Sequence, residues 1–238
     1  MSSPTEAHYS TINGVPLYYF RYADGKARRV SIYSTYAFKK RLNQWVAALG
    51  KVSRNNGGPR YGAIERIVTA GAYVNRSGQH GEGTAFDLDQ IRWKGGIKCT
   101  PYRHVHAARS RSHRRRYLAL DAMTRRHFRY VLDGWYNSAH ADHIHLDFGG
   151  RPTTCSRGSR SDTVFVQSLC NNLISTGIAG PVDGIWGSQT EAAFQTSLRR
   201  VRVGGDPFGN RFVWRRYLWR VAMHGFADRA LGHFNYKR

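Results

Sequence analysis

The apolar positions along this chain change period several times, and each change marks an element. VSIYSTYAFKKRLNQWVAALG (30–50) begins as a strand and turns into a helical repeat of Phe38, Leu42, Trp45, Val46 and Leu49. Ser34 or Thr35 can cap that helix, and Gly50 is the expected stop. SRNNGGPRYG (53–62) is a loop by its Asn, Gly and Pro content, and RIVTAGAYV (66–74) is strand-like. Two short stretches then alternate strictly. In AFDLD, Ala85, Asp87 and Asp89 share one face, while Phe86 and Leu88 share the other. In HIHLDF, His143, His145 and Asp147 face one side, and Ile144, Leu146 and Phe148 the other. Between them YLALDAMTRRHFRYVLDGW (117–135) carries a helical pattern through Leu120, Phe128, Val131, Leu132 and Trp135.

Past this region GGRPTTCSRGSRSD (149–162) shifts to Gly, Ser, Thr, Arg and Pro, which predicts a linker over 151–162. Helical patterns follow at VFVQSLCNNLI (164–174), in the second half of GPVDGIWGSQTEAAFQTSLRRV (180–201), and at RFVWRRYLWRVAMHGF (211–226). The expected architecture is α+β. A small, mostly antiparallel sheet with flanking helices fills 1–150, and a small all-α module fills 163–238 with an extra C-terminal helix. In that last helix Val213, Tyr217 and Val221 share a face, with Trp214 and Leu218 beside them. It either packs on the module or lies in a membrane interface through 211–223, its arginines meeting phosphates.

Composition narrows the class. The 238 residues can form one large domain or two smaller ones, and 41% hydrophobic content supports a sizeable core. No run approaches the ~20 apolar residues of a membrane span. MSSPTEAHYSTING has neither a basic n-region nor an apolar run, so synthesis in the cytoplasm without a Sec signal is expected. The net charge is +22, which concentrates a protein on polyanions. RHVHAARSRSHRRR (103–116) is expected to be a solvated basic arm. It lacks the interleaved aromatics of a base-stacking platform, and charge alone does not choose between nucleic acid and anionic envelope polymers. Cys99, Cys155 and Cys170 form no Cys-x-x-Cys pair. They are ordinary thiols or include a Cys155–Cys170 disulfide.

The alternating strands carry the chemistry. SGQHGEGTAFDLD (77–89) places His80 in a glycine-rich turn that feeds the strand bearing Asp87. If the two strands lie side by side, His80, Asp87 and His145 converge. Two imidazoles and a carboxylate leave a fourth tetrahedral position for water, the pattern of a catalytic zinc. A second His-x-His, at 104–106, has no acidic partner pattern.

HGEGTAFD, as His-x-x-Gly-x-Ala-x-Asp, together with HADHIH resembles the D-alanyl-D-alanine metallopeptidase group, whose fold is shared with lysostaphin and hedgehog domains. The flavour is that of its extensin-like and murein endopeptidase branches, over roughly residues 60 to 150. The resemblance implies zinc ligands at His80, Asp87 and His145. It also implies a base just before the last ligand. Relatives often carry Glu there, and this chain has Asp142, with His143 and His140 as the other candidates. GAYVNR resembles a Gly-x-Tyr-x-x-Arg pattern that implies a substrate-holding role for Arg76. GPVDGIWGSQTEAAFQTSLRR in turn resembles the peptidoglycan-binding type 1 module, with Asp183, Gly184, Gly187 and Thr190 in its turn and Ser188 where Pro is common. There Thr190 is expected to cap the helix. Trp186 and Asp183 are the residues expected at a glycan or peptide.

Together the resemblances imply a monomeric, zinc-dependent peptidoglycan hydrolase that cleaves a peptide bond of the stem or crosslink. It is an endopeptidase or carboxypeptidase acting in the periplasm or wall, released like a phage endolysin or injected. A non-catalytic wall-binding protein and a basic nucleic-acid-binding protein are the alternatives.

Overall fold

The computed structural model describes residues 6–101, 110–149 and 153–234. A two-stranded ribbon pairs β1 (Glu6–Tyr9) with β5 (Ile32–Thr35). The main sheet runs β2 (Thr11–Ile12), β3 (Val15–Tyr19), β6 (Ile64–Gly71), β7 (Ala85–Trp93), β10 (Ile144–Asp147) and β9 (Tyr130–Leu132). Its edges are extended by β4 (Arg28–Arg29) on β3 and β8 (Lys98–Cys99) on β7. Every pairing is antiparallel except β3 with β6. Five helices appear among the described residues: α1 (Tyr36–Gly57), α2 (Arg111–Arg125), α3 (Arg160–Leu173), α4 (Ser188–Arg200) and α5 (Arg211–Phe226). The architecture is the expected mixture of a mostly antiparallel sheet and helices. No helix among the described residues is long and apolar enough to cross a membrane.

Several local expectations need correcting. Thr35 caps α1, its hydroxyl accepting from the Phe38 N–H at 3.2 Å, but the helix does not stop at Gly50. An interior glycine costs only ~1 kcal/mol. The next turn buries Val52 completely and puts Ser53 where its hydroxyl accepts from Trp93 Nε1 at 3.0 Å. Gly58, at φ 73°, ends the helix instead. The pattern over 117–135 is not one helix: α2 ends at Arg125, and Tyr130–Leu132 form a strand. Of the basic stretch 103–116, residues 103–109 lie outside the described residues, and 111–116 are helical rather than a solvated arm. Arg114 and Arg115 reach Asn172, and Arg116 donates to the Lys98 carbonyl. All three cysteines are buried and free, so no Cys155–Cys170 disulfide forms.

The segment expected as a linker is partly core. Residues 151 and 152 lie outside the described residues, but Cys155 is buried and Arg160 to Asp162 already belong to α3. One continuous hydrophobic core runs from Ala7 to Leu231. Helix α5 packs against α1 and α2. Gly225 lets it approach closely, because a Cβ there would stand 2.7 Å from Ala119 Cβ. Phe226 closes an edge-to-face cluster with Tyr61 and Trp93, both from the sheet half. Trp214, Tyr217, Leu218 and Val221 are buried in the same core, so packing, not membrane insertion, occupies the apolar face of 211–223.

A buried ionic hub ties these layers together. Arg125 uses all five of its N–H donors: to Asp121 on its own helix, to the Val131 carbonyl and Asp133 at β9, and to Ser161 and Asp162 on α3. Burial pushes the Asp121 carboxyl well up, opposed by the Arg125 charge and reinforced by Asp133. Arg129 stands 3.8 Å from Asp162 and adds a second positive charge beside the hub.

Two outcomes follow. Arg125→Leu leaves buried carboxylates without their partner and should cost about 3–5 kcal/mol of stability, read as a large fall in the urea midpoint. A chain ending at Gly149 strips α3, α4 and α5 from the core. It should aggregate or lose its near-ultraviolet circular dichroism rather than fold as an independent domain.

Candidate metal centre

Strand pairing creates the site. β10 runs antiparallel to β7 with His145 directly opposite Asp87, so side chains that share a face by parity become neighbours. Ile144, Leu146, Phe86 and Leu88 are buried on the opposite side and lock the register. Beside Asp87 the pairing of β6 with β7 is irregular between Val68 and Gly71. The Thr69 hydroxyl fills the irregularity, lying 2.8 Å from the Asp87 carbonyl oxygen and accepting from the Gly71 N–H at 3.0 Å. Such irregularities re-aim a side chain without breaking the sheet.

The glycine-rich turn brings in the third residue. A Cβ on Gly81 would overlap the Arg76 carbonyl oxygen at 1.5 Å. Gly83, at φ 66°, lies against the Ser34–Thr35 backbone, where the Thr35 N–H donates to the Gly83 carbonyl at 2.9 Å. Only glycines let this loop fold so tightly. The result is a His80 side chain 10% exposed, its Nε2 lying 3.3 Å from Asp87 Oδ2 and 3.3 Å from His145 Nδ1. His145 Nδ1 is 2.9 Å from Asp87 Oδ1. One candidate ligand atom from each of the three lies within 4.8 Å of the others, so the group could hold a metal ion.

The outer nitrogens of the two imidazoles make this donor set suitable for a metal. His80 Nδ1 meets the Ala72 carbonyl, and His145 Nε2 lies 3.1 Å from Asp147 Oδ2. Each outer N–H is thereby spoken for, which fixes the tautomer and turns the other nitrogen's lone pair inward. Among the described residues no fourth His, Cys, Asp or Glu joins the group.

Electrostatics in the metal-free state follow from crowding these groups. Burial disfavours the charged form of His145, but its contacts with Asp147 and Asp87 outweigh this and raise its pKa to about 9. Burial likewise opposes ionisation of Asp87, and His145 and His80 outweigh it, holding the carboxyl well below the usual range.

The other expected residues divide clearly. Asp142 Oδ1 accepts from His143 Nδ1 at 2.6 Å, and His143 Nε2 stands 3.7 Å from Asp87 Oδ1, at the edge of the ligand set. His140 sits in a 3-10 turn (Ser138–His140), its ring centroid 5.2 Å from that of His143 and 6.1 Å from that of His145. Its Nδ1 is 2.6 Å from Asn137 Oδ1, and burial followed by the nearby histidine charges lowers its pKa. Arg76 is exposed in the turn before His80, and its side chain makes no hydrogen bond or ion pair among the described residues.

Far from the site, Asp183 is engaged in its own turn, accepting from Gln167 Nε2 and the Ile185 N–H. Trp186 is half-buried, edge-on to Phe194 and Phe208, with Nε1 donating to Glu191 at 2.7 Å. Thr190 does not cap α4. Gly187 holds that position, and the Thr190 hydroxyl bonds to Gln167 and the Ala179 carbonyl.

Arg21 is the participant that pattern reading does not single out. It grips Asp89 with Nε at 2.9 Å and NH2 at 2.6 Å, and reaches Asp142 Oδ2 with NH1 at 2.9 Å. Asp89 is 1% exposed. The chain of contacts Asp89–Arg21–Asp142–His143 therefore anchors the exposed end of the site to the sheet. Nothing in YYFRYADG distinguishes that arginine from the other basic residues.

Loading the site should displace the His145 proton. At pH 7 about one proton should be released per metal ion, and affinity should rise with pH toward about 9. Calorimetry in buffers of different ionisation enthalpy reads this directly. Without metal the sign is reversed for stability. Charged His145 contributes fully below its unfolded pKa of ~6.5, and the contribution fades as pH rises through about 9, read as a falling Tm. His80→Ala and His145→Ala should each lose metal while keeping the far-ultraviolet spectrum.

Comparison with known proteins gives a family-model match over part of the chain. No curated protein and no solved structure matches the chain. Residues 59–156, which hold His80, Asp87, His140, Asp142, His143 and His145 but neither Arg21 nor α3 to α5, match the family model Extensin-like protein C-terminus.

Proposed function

We propose that this protein is a zinc-dependent peptidase that cleaves a peptide bond in the stem or crosslink of bacterial peptidoglycan. One observation carries the reading: two imidazoles and a carboxylate converge within 4.8 Å, with both outer imidazole nitrogens already engaged. The match of 59–156 to an extensin-like family supports it. Two histidines, one carboxylate and an open position form a set typical of catalytic zinc. Zinc bound there would supply a Lewis acid that polarises a carbonyl and acidifies water.

The chain's own residues would do the rest. His80, Asp87 and His145 hold the ion. Asp142 fixes the Nδ1 proton of His143, which leaves Nε2 free to accept a proton from the attacking water. Arg21 keeps Asp142 in place, and His140, its ring tilted against that of His143, is the alternative proton carrier. Arg76, exposed before the metal loop, would meet the substrate carbonyl.

In this reading the protein acts in the periplasm or wall, its excess positive charge drawing it to anionic envelope polymers. The Asp183–Gly184 turn between α3 and α4 would contact the wall through Ile185, 69% exposed, rather than through Trp186.

Metal analysis of the purified protein should give about one zinc per chain. Digested sacculi should yield new peptide termini by mass spectrometry of the muropeptides, and this also identifies the bond. His143→Ala should keep zinc and lose about 10²–10⁴ in rate. Undiminished cleavage by His145→Ala, or in excess chelator, would overturn the proposal.

A further inference from the structure

Beside Asp142 a cleft of about 480 Å³ opens, lined by Phe20, Arg21, Asp89, Gln90, Lys98 and Asp142. Its volume suits a small ligand or a short stretch of peptide. It starts at the residue that orients His143 and runs along β7 away from Asp87, toward β8. A substrate with its scissile carbonyl at the metal centre would therefore extend into it.

The hydrogen bonds already made inside the cleft determine what it has left to offer. Both oxygens of Asp89 are held by Arg21. Asp142 gives one oxygen to His143 and the other to Arg21. Gln90 donates one amide N–H to the Thr100 hydroxyl at 2.9 Å, and its carbonyl oxygen makes no hydrogen bond among the described residues. The Lys98 backbone is fixed by Arg116, which donates to its carbonyl at 3.1 Å. The Lys98 ammonium, in contrast, makes no ion pair or hydrogen bond among the described residues and is exposed at the cleft. The acids are occupied by internal partners, and the unspent charge is a cation.

We infer that this cleft is a substrate subsite that takes a peptide carboxylate, with the Lys98 ammonium as its counter-charge and the Gln90 side-chain oxygen accepting a peptide N–H. The inference rests on the peptidase reading for its choice of a peptide, but its test reads binding and not cleavage. Phe20 supplies the apolar wall against which a small side chain would lie. A lysine is a flexible point charge rather than a planar fork. It therefore accepts either an α-carboxylate or a side-chain carboxylate, and the test separates the two.

The experiment uses the full chain carrying His143→Ala to suppress turnover, with calorimetric titration of N-acetylated peptides ending in D-alanyl-D-alanine. The free acid is compared with its C-terminal amide. A second pair compares a Glu with a Gln two residues upstream of the amidated end. Binding of the free acid about ten times tighter than the amide, the size of one charge-assisted contact, assigns the subsite to the α-carboxylate. The same preference in the Glu–Gln pair assigns it to a side chain. Adding Lys98→Gln should abolish whichever preference is found and leave the amide's affinity unchanged, while Lys98→Arg should retain it. Equal affinity within both pairs, or a preference that survives Lys98→Gln, overturns the inference. Failure of sacculus digestion with these preferences intact would count against the peptidase reading and not against the subsite.

Discussion

The interaction on which the rest of the structure depends is the burial of Arg125 among three aspartates. A guanidinium taken from water costs several kcal/mol unless every donor is matched, and here all five are. The matching partners come from α2, from β9 with the residue just after it, and from α3, which begins 35 residues beyond Arg125. Forming the hub therefore brings β9 under α2 and seats α3 beside it. β9 in turn pairs with β10 in a register that puts Leu132 opposite His145. His145 of the candidate metal centre thus sits on a strand whose outer neighbour is held by a buried charge network.

Around the candidate ligands the same logic operates on a smaller scale. Each group the site needs is restrained by a second one: His80 by the Ala72 carbonyl, His145 by Asp147, Asp87 through Thr69 at its backbone, and Asp142 by Arg21. Crowding these polar groups without a cation is unfavourable by itself. The raised pKa of His145 expresses that, because a proton stands in for part of the missing positive charge.

The C-terminal helices are part of this economy rather than an appendage. Arg114 and Arg115 on α2 bind α3, Gly225 lets α5 rest on Ala119, and Phe226 completes a ring cluster begun by Tyr61 and Trp93. A basic run that looks like a solvated arm is, from Arg111 onward, a docking surface, with arginine stems and heads both used.

What the sequence determined by itself was local and periodic. Alternation in AFDLD and HIHLDF assigned the faces of β7 and β10, glycines around His80 announced a tight turn, and the spacing of His80, Asp87 and His145 named the ligand candidates. Those features are legible because side-chain parity and glycine's backbone freedom act within a few residues. Tertiary structure decided the rest. Val131 and Leu132 fit a helical repeat as well as a strand, and only pairing with β10 chose between them. Gly50 looked like a stop until burial of Val52 and the Ser53–Trp93 bond carried α1 past it. Asp183 and Thr190 looked like surface and cap residues, but Gln167 and the Ala179 carbonyl, 11 to 23 residues away, claim their polar atoms, while Trp186 is taken up by Glu191 and by the rings of Phe194 and Phe208. Arg21 stands 68 residues from Asp89 and carries no periodic mark. Its role exists only once the sheet brings the two together, because an ion pair depends on distance in space and leaves no trace in sequence spacing.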